Sequence, residues 1–323
     1  MSIVTVTNLK KTYGNFTAVD GVSFFIKQDE IFGFLGPNGA GKTSTINMMI
    51  GLSRPTQGEI IIDGIDARRH PKKAQAIMGV VADESNLYNE MDGFDNLCFC
   101  AALYGMPKEE REPKARQLLA QFNLQEAGKR PFKAYSKGMR RKLTIAAAII
   151  HSPRILFLDE PTTGIDVESA RQIRELILQL KKQGTTIFIT THYIEDAERI
   201  CDRLAFIVDG KIVANGTVQE LMGQASPGHA IRLVTDIKSD NLVTDLQAHF
   251  TNSTVEITHD HALVLRSMER IPLLPVMEYF GHKGIAVYEA RELRATLEDV
   301  FVKLTGIEAN KLKKEKEKRG NGQ

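Results

Sequence analysis

Three cysteines in 323 residues, Cys98, Cys100 and Cys201, are too few for a disulfide framework. Cys98-Phe99-Cys100 is too close-set for a zinc pair of the usual spacing, so reduced thiols, buried or half-buried, are expected. No apolar run approaches the roughly twenty residues of a membrane-spanning helix. The first residues, Met1-Ser2-Ile3-Val4-Thr5-Val6, lack the basic-then-apolar layout of a secretory signal. Charge is nearly balanced, 42 Lys and Arg against 40 Asp and Glu, and the net +2 carries no signal for nucleic acid. No nucleic-acid partner is expected. Length alone points to two domains with room for a sizeable core.

What the chain does have is Gly36-Pro37-Asn38-Gly39-Ala40-Gly41-Lys42-Thr43, which fits G-x-x-x-x-G-K-[ST]. Glu30-Ile31-Phe32-Gly33-Phe34-Leu35 before it suits a buried strand, and Thr43-Ser44-Thr45-Ile46-Asn47-Met48-Met49-Ile50 after it suits a helix. That strand–loop–helix setting is the context such a loop needs. Glycines let the backbone curl until successive N–H groups face phosphate oxygens, and the helix N-terminus adds unpaired N–H groups and dipole. Lys42 reaches the β- and γ-phosphates and the Thr43 hydroxyl is placed for Mg²⁺. A Gly-rich turn with an exposed lysine is the plainer alternative, and the flanking elements argue against it. The chain binds a nucleoside triphosphate.

Around this loop the pattern alternates strands and helices. Strands are expected near 2–10, 18–26, 59–64 and 77–82, the last ending at Asp83. Residues 91–151 switch to helical periodicity, with segments 92–104, 108–123 and 138–151 forming an inserted block. Arg154-Ile155-Leu156-Phe157-Leu158-Asp159-Glu160 reads as a central parallel strand with two acids at its C-terminal end, where ligands sit in doubly wound sheets. Asp159 can hold Mg²⁺ through its water shell and Glu160 can polarise the attacking water. A further strand ends at Thr191-His192. His192 shares that edge if the strands are parallel neighbours, within reach of a γ-phosphate. Tyr13 is either a packing residue or a ring on which a base stacks. Beyond 225 the order strand–helix–strand–strand–helix–strand suits a small ferredoxin-like unit, followed by a helix at 295–304. The charged tail 311–323 is expected to be disordered.

Taken together these motifs resemble the ATP-binding subunits of ABC transporters, over residues 3–222. Gly36–Thr43 with Ser44 looks like Walker A, and Ile155-Leu156-Phe157-Leu158-Asp159-Glu160 like Walker B. Tyr13 sits where the family's adenine-stacking aromatic sits, and His192 matches the switch histidine. Thr163-Gly164-Ile165-Asp166 resembles the D-loop, with Asp166 as its acid. Tyr135-Ser136-Lys137-Gly138-Met139-Arg140 occupies the place of the LSGGQ signature, with Lys137 and Met139 replacing a glycine and a glutamine. A second departure is Asp83, which stands where the family has the Q-loop glutamine and becomes a further candidate metal ligand beside Thr43 and Asp159.

The resemblance implies an α/β P-loop NTPase fold of the ABC ATPase type, with a mixed sheet and an inserted helical subdomain. It places an ATP-binding domain at 1–224 (helical subdomain about 85–151) and an accessory α+β domain at 225–310. It also implies ATP and Mg²⁺ as ligands, with Glu160 and His192 catalytic. A head-to-tail homodimer would sandwich two ATP molecules between one subunit's loop and the other's Ser136–Gly138 segment. The relaxed signature, the sequence Leu297-Glu298-Asp299-Val300-Phe301-Val302-Lys303-Leu304-Thr305-Gly306 and the C-terminal domain look most like the drug-resistance and ABC-2 exporter branch. Such a subunit works with a separately encoded permease at the cytoplasmic face of the membrane. Phe94, Leu97, Phe99 and Tyr104 are then candidates to meet that permease. The alternative is a soluble ABC-type ATPase acting on ribosomes or DNA. A single P-loop and the lack of an extended heptad run speak against it, while Glu160 with His192 speaks against a module that holds ATP without cleaving it.

Overall fold

A computed structural model describes residues 1–83, 87–225, 228–236, 240–258, 260, 262–293 and 296–306. The tail expected at 311–323 lies outside the described residues. Two compact units divide them: Met1–Val218 together with the last described residues, 304–306, and Gln219–Lys303.

The first unit opens with an antiparallel pair, β1 (Ser2–Tyr13) and β2 (Phe16–Lys27). Tyr13 therefore ends a strand, paired with Phe16 across the hairpin tip, rather than sitting in a connection. β3 (Ile31–Leu35) is buried at every position and leads into α1 (Lys42–Met49). β4 (Gln57–Ile62), β5 (Ile65–Asp66), α2 (Pro71–Gln75) and β6 (Met78–Val81) follow. The inserted block is α3 (Gly93–Leu103), α4 (Lys108–Gln121) and α5 (Lys137–Ile149). The chain then runs through β7 (Ile155–Asp159), α6 (Val167–Lys182), β8 (Thr186–Thr191) and α7 (Ile194–Ile200). It closes with β9 (Arg203–Val208) and β10 (Lys211–Thr217), and α8 (Val218–Ala225) opens the second unit.

The main sheet has the order β10-β9-β3-β8-β7-β6, parallel from β9 to β6 with β10 antiparallel on its edge. Its inner strands read as unbroken apolar runs because both faces are covered. A second, antiparallel sheet of order β2-β1-β4-β5 lies against it. The two are joined by an aromatic cluster. Phe24 of β2 stacks on Phe32 of β3 at 5.3 Å and on Phe188 of β8 at 6.0 Å, and Phe34 lies 5.7 Å from Phe188. Rings at these spacings add roughly 0.5–1.5 kcal/mol per pair beyond area burial. The cluster fixes β3, and with it the loop that β3 feeds.

The second unit continues with β11 (His229–Thr235), α9 (Asp240–His249), β12 (Ser253–Ile257), β13 (Leu263–Ser267), α10 (Leu273–His282) and β14 (Val287–Leu293). α11 (Leu297–Thr305) follows. Its strands pair antiparallel in the order β12-β13-β11-β14, the arrangement of a ferredoxin-like split βαβ. Ile231, Leu233, Leu246, Leu265, Val276 and Phe280 form its core.

Candidate functional site

Four adjacent strands deliver their C-terminal ends to one edge: β3 with the P-loop, β8 with His192, β7 with Asp159 and Glu160, and β6 with Asp83. The loop's glycines are there for space and for backbone. A Cβ on Gly36 would stand 2.1 Å from the Ile207 carbonyl oxygen. Gly41 caps α1 in the left-handed region, φ +104, and a Cβ there would meet the Ala18 carbonyl oxygen at 2.5 Å. Asn38 and Gly39 are exposed at the loop's crown, Pro37 is half-buried, and Thr43 is exposed with Ser44 half-buried on the first turn. Ala40 is buried.

Lys42 is 6 % exposed. Its Nζ donates to the Gly36 and Pro37 carbonyls at 2.8 and 3.2 Å and lies 3.3 Å from Glu160 Oε1. Glu160 sits just past β7 at φ +49, a conformation that a non-glycine residue adopts at a cost of order 1–3 kcal/mol. Its N–H is held by the Thr190 carbonyl at 3.1 Å and the Thr190 hydroxyl at 3.2 Å. Oε2 accepts from His192 Nδ1 at 2.7 Å and from the Thr163 hydroxyl at 3.0 Å. Oε1 is buried and makes no hydrogen bond, only the charge contact with Lys42. Burial pushes the Glu160 carboxyl up, but the His192 bond and the Lys42 charge outweigh it and hold the group below its usual range. Asp159 goes the other way. Burial raises it, and the hydrogen bond from the Thr190 hydroxyl offsets only part of that. Two neighbouring carboxyls are thus pushed apart, the usual mark of an acid–base site.

Asp83 ends the strand beside them and is half in solvent, with its carboxylate 3.8 Å from Arg141 of α5. The plainer alternative, that Asp83 merely caps a helix beginning near Ser85, falls on residues 84–86, which lie outside the described residues. Tyr13 is 49 % exposed at its hairpin tip, with Lys11 Nζ 4.8 Å from its ring centroid.

The signature segment is elsewhere. Ser136 is the N-cap of α5, accepting from Met139 N–H at 3.2 Å, and is exposed with Lys137. Gly138 is buried against α6, where a Cβ would fall 2.3 Å from Ser169 Oγ. Asp166 caps α6 by accepting from Ser169 N–H at 2.8 Å. Signature and D-loop therefore meet through Ser169. Among the described residues no hydrogen bond or ion pair joins Ser136 or Asp166 to Lys42 or Glu160; the D-loop reaches Glu160 only at its first residue, Thr163. Thr190, Arg141 and the strongly exposed Val167 escaped the sequence reading. Thr163 was read only as part of the D-loop; its bond to Glu160, three residues back, is a local signal that reading left unused.

No cluster of three or more His, Cys, Asp or Glu among the described residues could hold a metal unaided. That suits Mg²⁺, which binds through one or two protein oxygens plus substrate phosphates. An edge that offers inward-curled backbone, a buried cation and a carboxylate with one unbonded oxygen is suited to cleaving a nucleoside triphosphate, the chemistry of P-loop ATPases.

The ABC transporter family profile matches residues 19–163. The chain is 34% identical over 308 residues to the linearmycin resistance ATP-binding protein LnrL of Bacillus subtilis (strain 168), covering 93% of this chain and 97% of the relative. It is 38% identical over 308 residues to the doxorubicin resistance ATP-binding protein DrrA of Mycobacterium tuberculosis (strain CDC 1551 / Oshkosh), covering 94% and 91%. A solved dimeric post-hydrolysis state of an ATP-binding cassette bound to ADP and Pi matches with a TM-score of 0.61 at 27% identity, covering 66% of this chain and 98% of that one. The chain belongs to the ABC transporter family, as an ATP-binding subunit that hydrolyses ATP.

Proposed function

We propose that two copies of the chain close head to tail around two ATP molecules and that hydrolysis drives a separately encoded permease in the direction of export. One observation carries the dimer. The hydrolytic half of the site is buried around Lys42, Glu160 and His192, whereas Ser136 and Asp166 are exposed and Val167 beside them is 85 % exposed. An exposed helix N-terminus with a serine hydroxyl is an anion site in want of an anion, and a second copy's γ-phosphate supplies one. Export is supported by relatives whose names specify drug resistance and Nod factor export. No helix among the described residues is long and apolar enough to cross a membrane; the likeness to transporter ATP-binding subunits is what supports a peripheral place at the cytoplasmic face.

In this reading Glu160 is the general base. His192 and Thr163 hold Oε2, which leaves Oε1 to take the proton of the attacking water. The water oxygen bonds to the γ-phosphorus as the bond to the β–γ bridging oxygen breaks, and ADP leaves with the electron pair. Lys42 stabilises charge on the β- and γ-phosphates, and Tyr13 offers its ring to the base. Mg²⁺, held by Thr43 and Asp159, would supply charge neutralisation at the phosphates. Of the candidate permease contacts, Leu97 is core and Phe94 is covered by Arg116 at 4.9 Å, while Phe99 and Tyr104 are exposed.

The test is Glu160→Gln. The amide cannot accept the water proton, so turnover should fall by roughly 10²–10⁴-fold while ATP binding persists. Light scattering should then show a dimer with ATP and a monomer without. A variant that binds ATP, has lost turnover and stays monomeric at high ATP would refute the sandwich.

A further inference from the structure

Arg141 lies on the second turn of α5, yet its guanidinium serves the end of β6 and not its own helix. One terminal nitrogen donates to the Ala82 carbonyl at 2.6 Å and the other to the Asp83 carbonyl at 2.6 Å. The second nitrogen is also 3.8 Å from the Asp83 carboxylate. The Arg141 side chain is 6 % exposed against 45 % for Asp83. Such a fork, gripping two successive carbonyls, is a geometry that a lysine ammonium cannot copy. Burial works against the guanidinium's charge, and the carboxylates of Asp83, Asp159 and Glu160 favour it. Arg141 is thus electrostatically part of the phosphate edge although it belongs to the inserted helical block.

That placement bears on the aspartate at 83. A carboxylate here adds a third negative group to an edge that must receive phosphates, where a glutamine would add none. We propose that Arg141 is a positioning residue of the hydrolytic site: its fork fixes the turn that ends β6, and its charge offsets that of Asp83, so that an aspartate can stand at the phosphate edge. The two residues then act as one unit, and their effects on turnover are not additive. Removing the cation should harm the reaction mainly through the charge it leaves at Asp83, and neutralising Asp83 should undo that harm.

This inference rests on the proposed roles of Asp159 and Glu160, and the experiment separates the two. Full-length Arg141→Met, Asp83→Asn, the double variant and Arg141→Lys are compared for kcat and KM with ATP. Affinity for a non-hydrolysable ATP analogue and the Tm of each are measured alongside. Arg141→Met should lower kcat by roughly 10- to 100-fold while analogue affinity moves far less. Adding Asp83→Asn should restore most of kcat although the carbonyl grip stays lost. Arg141→Lys, which keeps charge without the fork, should fall between wild type and Arg141→Met. Should the double variant be as slow as Arg141→Met, Arg141 is only a backbone tether and the proposal fails. Should Arg141→Met not fold, the equally uncharged Arg141→Gln with and without Asp83→Asn decides: equal loss in both again overturns it. Glu160→Gln in the same assays is the control, because wild-type turnover there would sink the site assignment itself.

Discussion

Asp196→Ala is the perturbation with the most to say about how the site is held. Asp196 lies on α7, four residues past His192, and its carboxylate is 11 % exposed. One oxygen accepts from the Thr162 hydroxyl at 2.6 Å and the other from Arg174 at 2.8 Å. Thr162 lies two residues past Glu160, and Arg174 lies on α6, which starts at the Asp166 cap. A single carboxylate therefore ties together the three segments that carry Glu160, Asp166 and His192. Truncating it leaves a guanidinium that is 15 % exposed and a buried hydroxyl, both without an acceptor. Breaking a buried pair from one side costs about 3–5 kcal/mol, and the partial exposure of Arg174 argues for the lower end. A loss near 3 kcal/mol is a large part of the roughly 5–15 kcal/mol of a typical domain, so the urea midpoint of the ATPase unit should drop visibly. Asp196→Asn keeps the shape and one good acceptor and should lose about half as much, since hydrogen bonds to charged groups are worth about 1.5–3 kcal/mol. In steady-state assays below the unfolding range, both variants should lose kcat more than ATP affinity, because the Glu160–His192 contact loosens while the loop around Lys42 does not touch Asp196. An Asp196→Ala protein within about 1 kcal/mol of wild type, with unchanged kcat, would refute the reasoning.

Two further outcomes follow from the carboxyls and the exposed aromatics. Glu160 titrates below its usual 4.5 in the folded chain, so its contribution is present above that value and is lost as pH falls through the folded pKa. Asp159 is raised, so ionising it costs stability at neutral pH. In nucleotide-free protein at pH 7, Asp159→Asn should therefore raise Tm and Glu160→Gln should lower it. Shifts of the same sign would contradict the opposed environments. Phe99→Glu, a charge placed on an exposed ring, should leave basal ATPase within about two-fold and abolish transport in reconstituted vesicles. Unaltered transport would remove this face from the permease contact.

The parts of this site that were legible in the sequence are those whose chemistry constrains neighbours along the chain. Gly36 and Gly41 are readable because no other residue fits where Ile207 and Ala18 carbonyls press. Asp159 and Glu160 are readable because a buried parallel strand must be apolar until it ends, so acids at its close announce the edge. Residue pairings across the fold left no such trace. Arg141 and Asp83 are 58 positions apart, and Thr162 and Asp196 are 34 apart. An arginine on an amphipathic helix looks the same whether it faces water or grips a distant strand end. Tyr13 shows a subtler limit. The turn residues after it were visible, but whether the strand continued through Tyr13 depended on its cross-strand pairing with Phe16.

The same distinction explains why α5 was read as an anion site and not as part of the catalytic edge. Its N-terminus carries the local signal, Ser136 as cap, and faces outward. One turn later Arg141 faces inward and holds the end of β6 by two bonds of 2.6 Å. A helix of 13 residues is stiff over that distance, so the exposed cap and the buried grip cannot move independently. In the proposed dimer the cap meets the other copy's nucleotide while the grip senses the chain's own. A displacement at Asp83 would therefore reach Ser136 as a tilt of α5, and contact at Ser136 would bear back on Asp83 by the same lever. Coupling between two sites must be reciprocal, and in the proposed dimer one helix with opposite duties at its first two turns would supply the physical link in both directions.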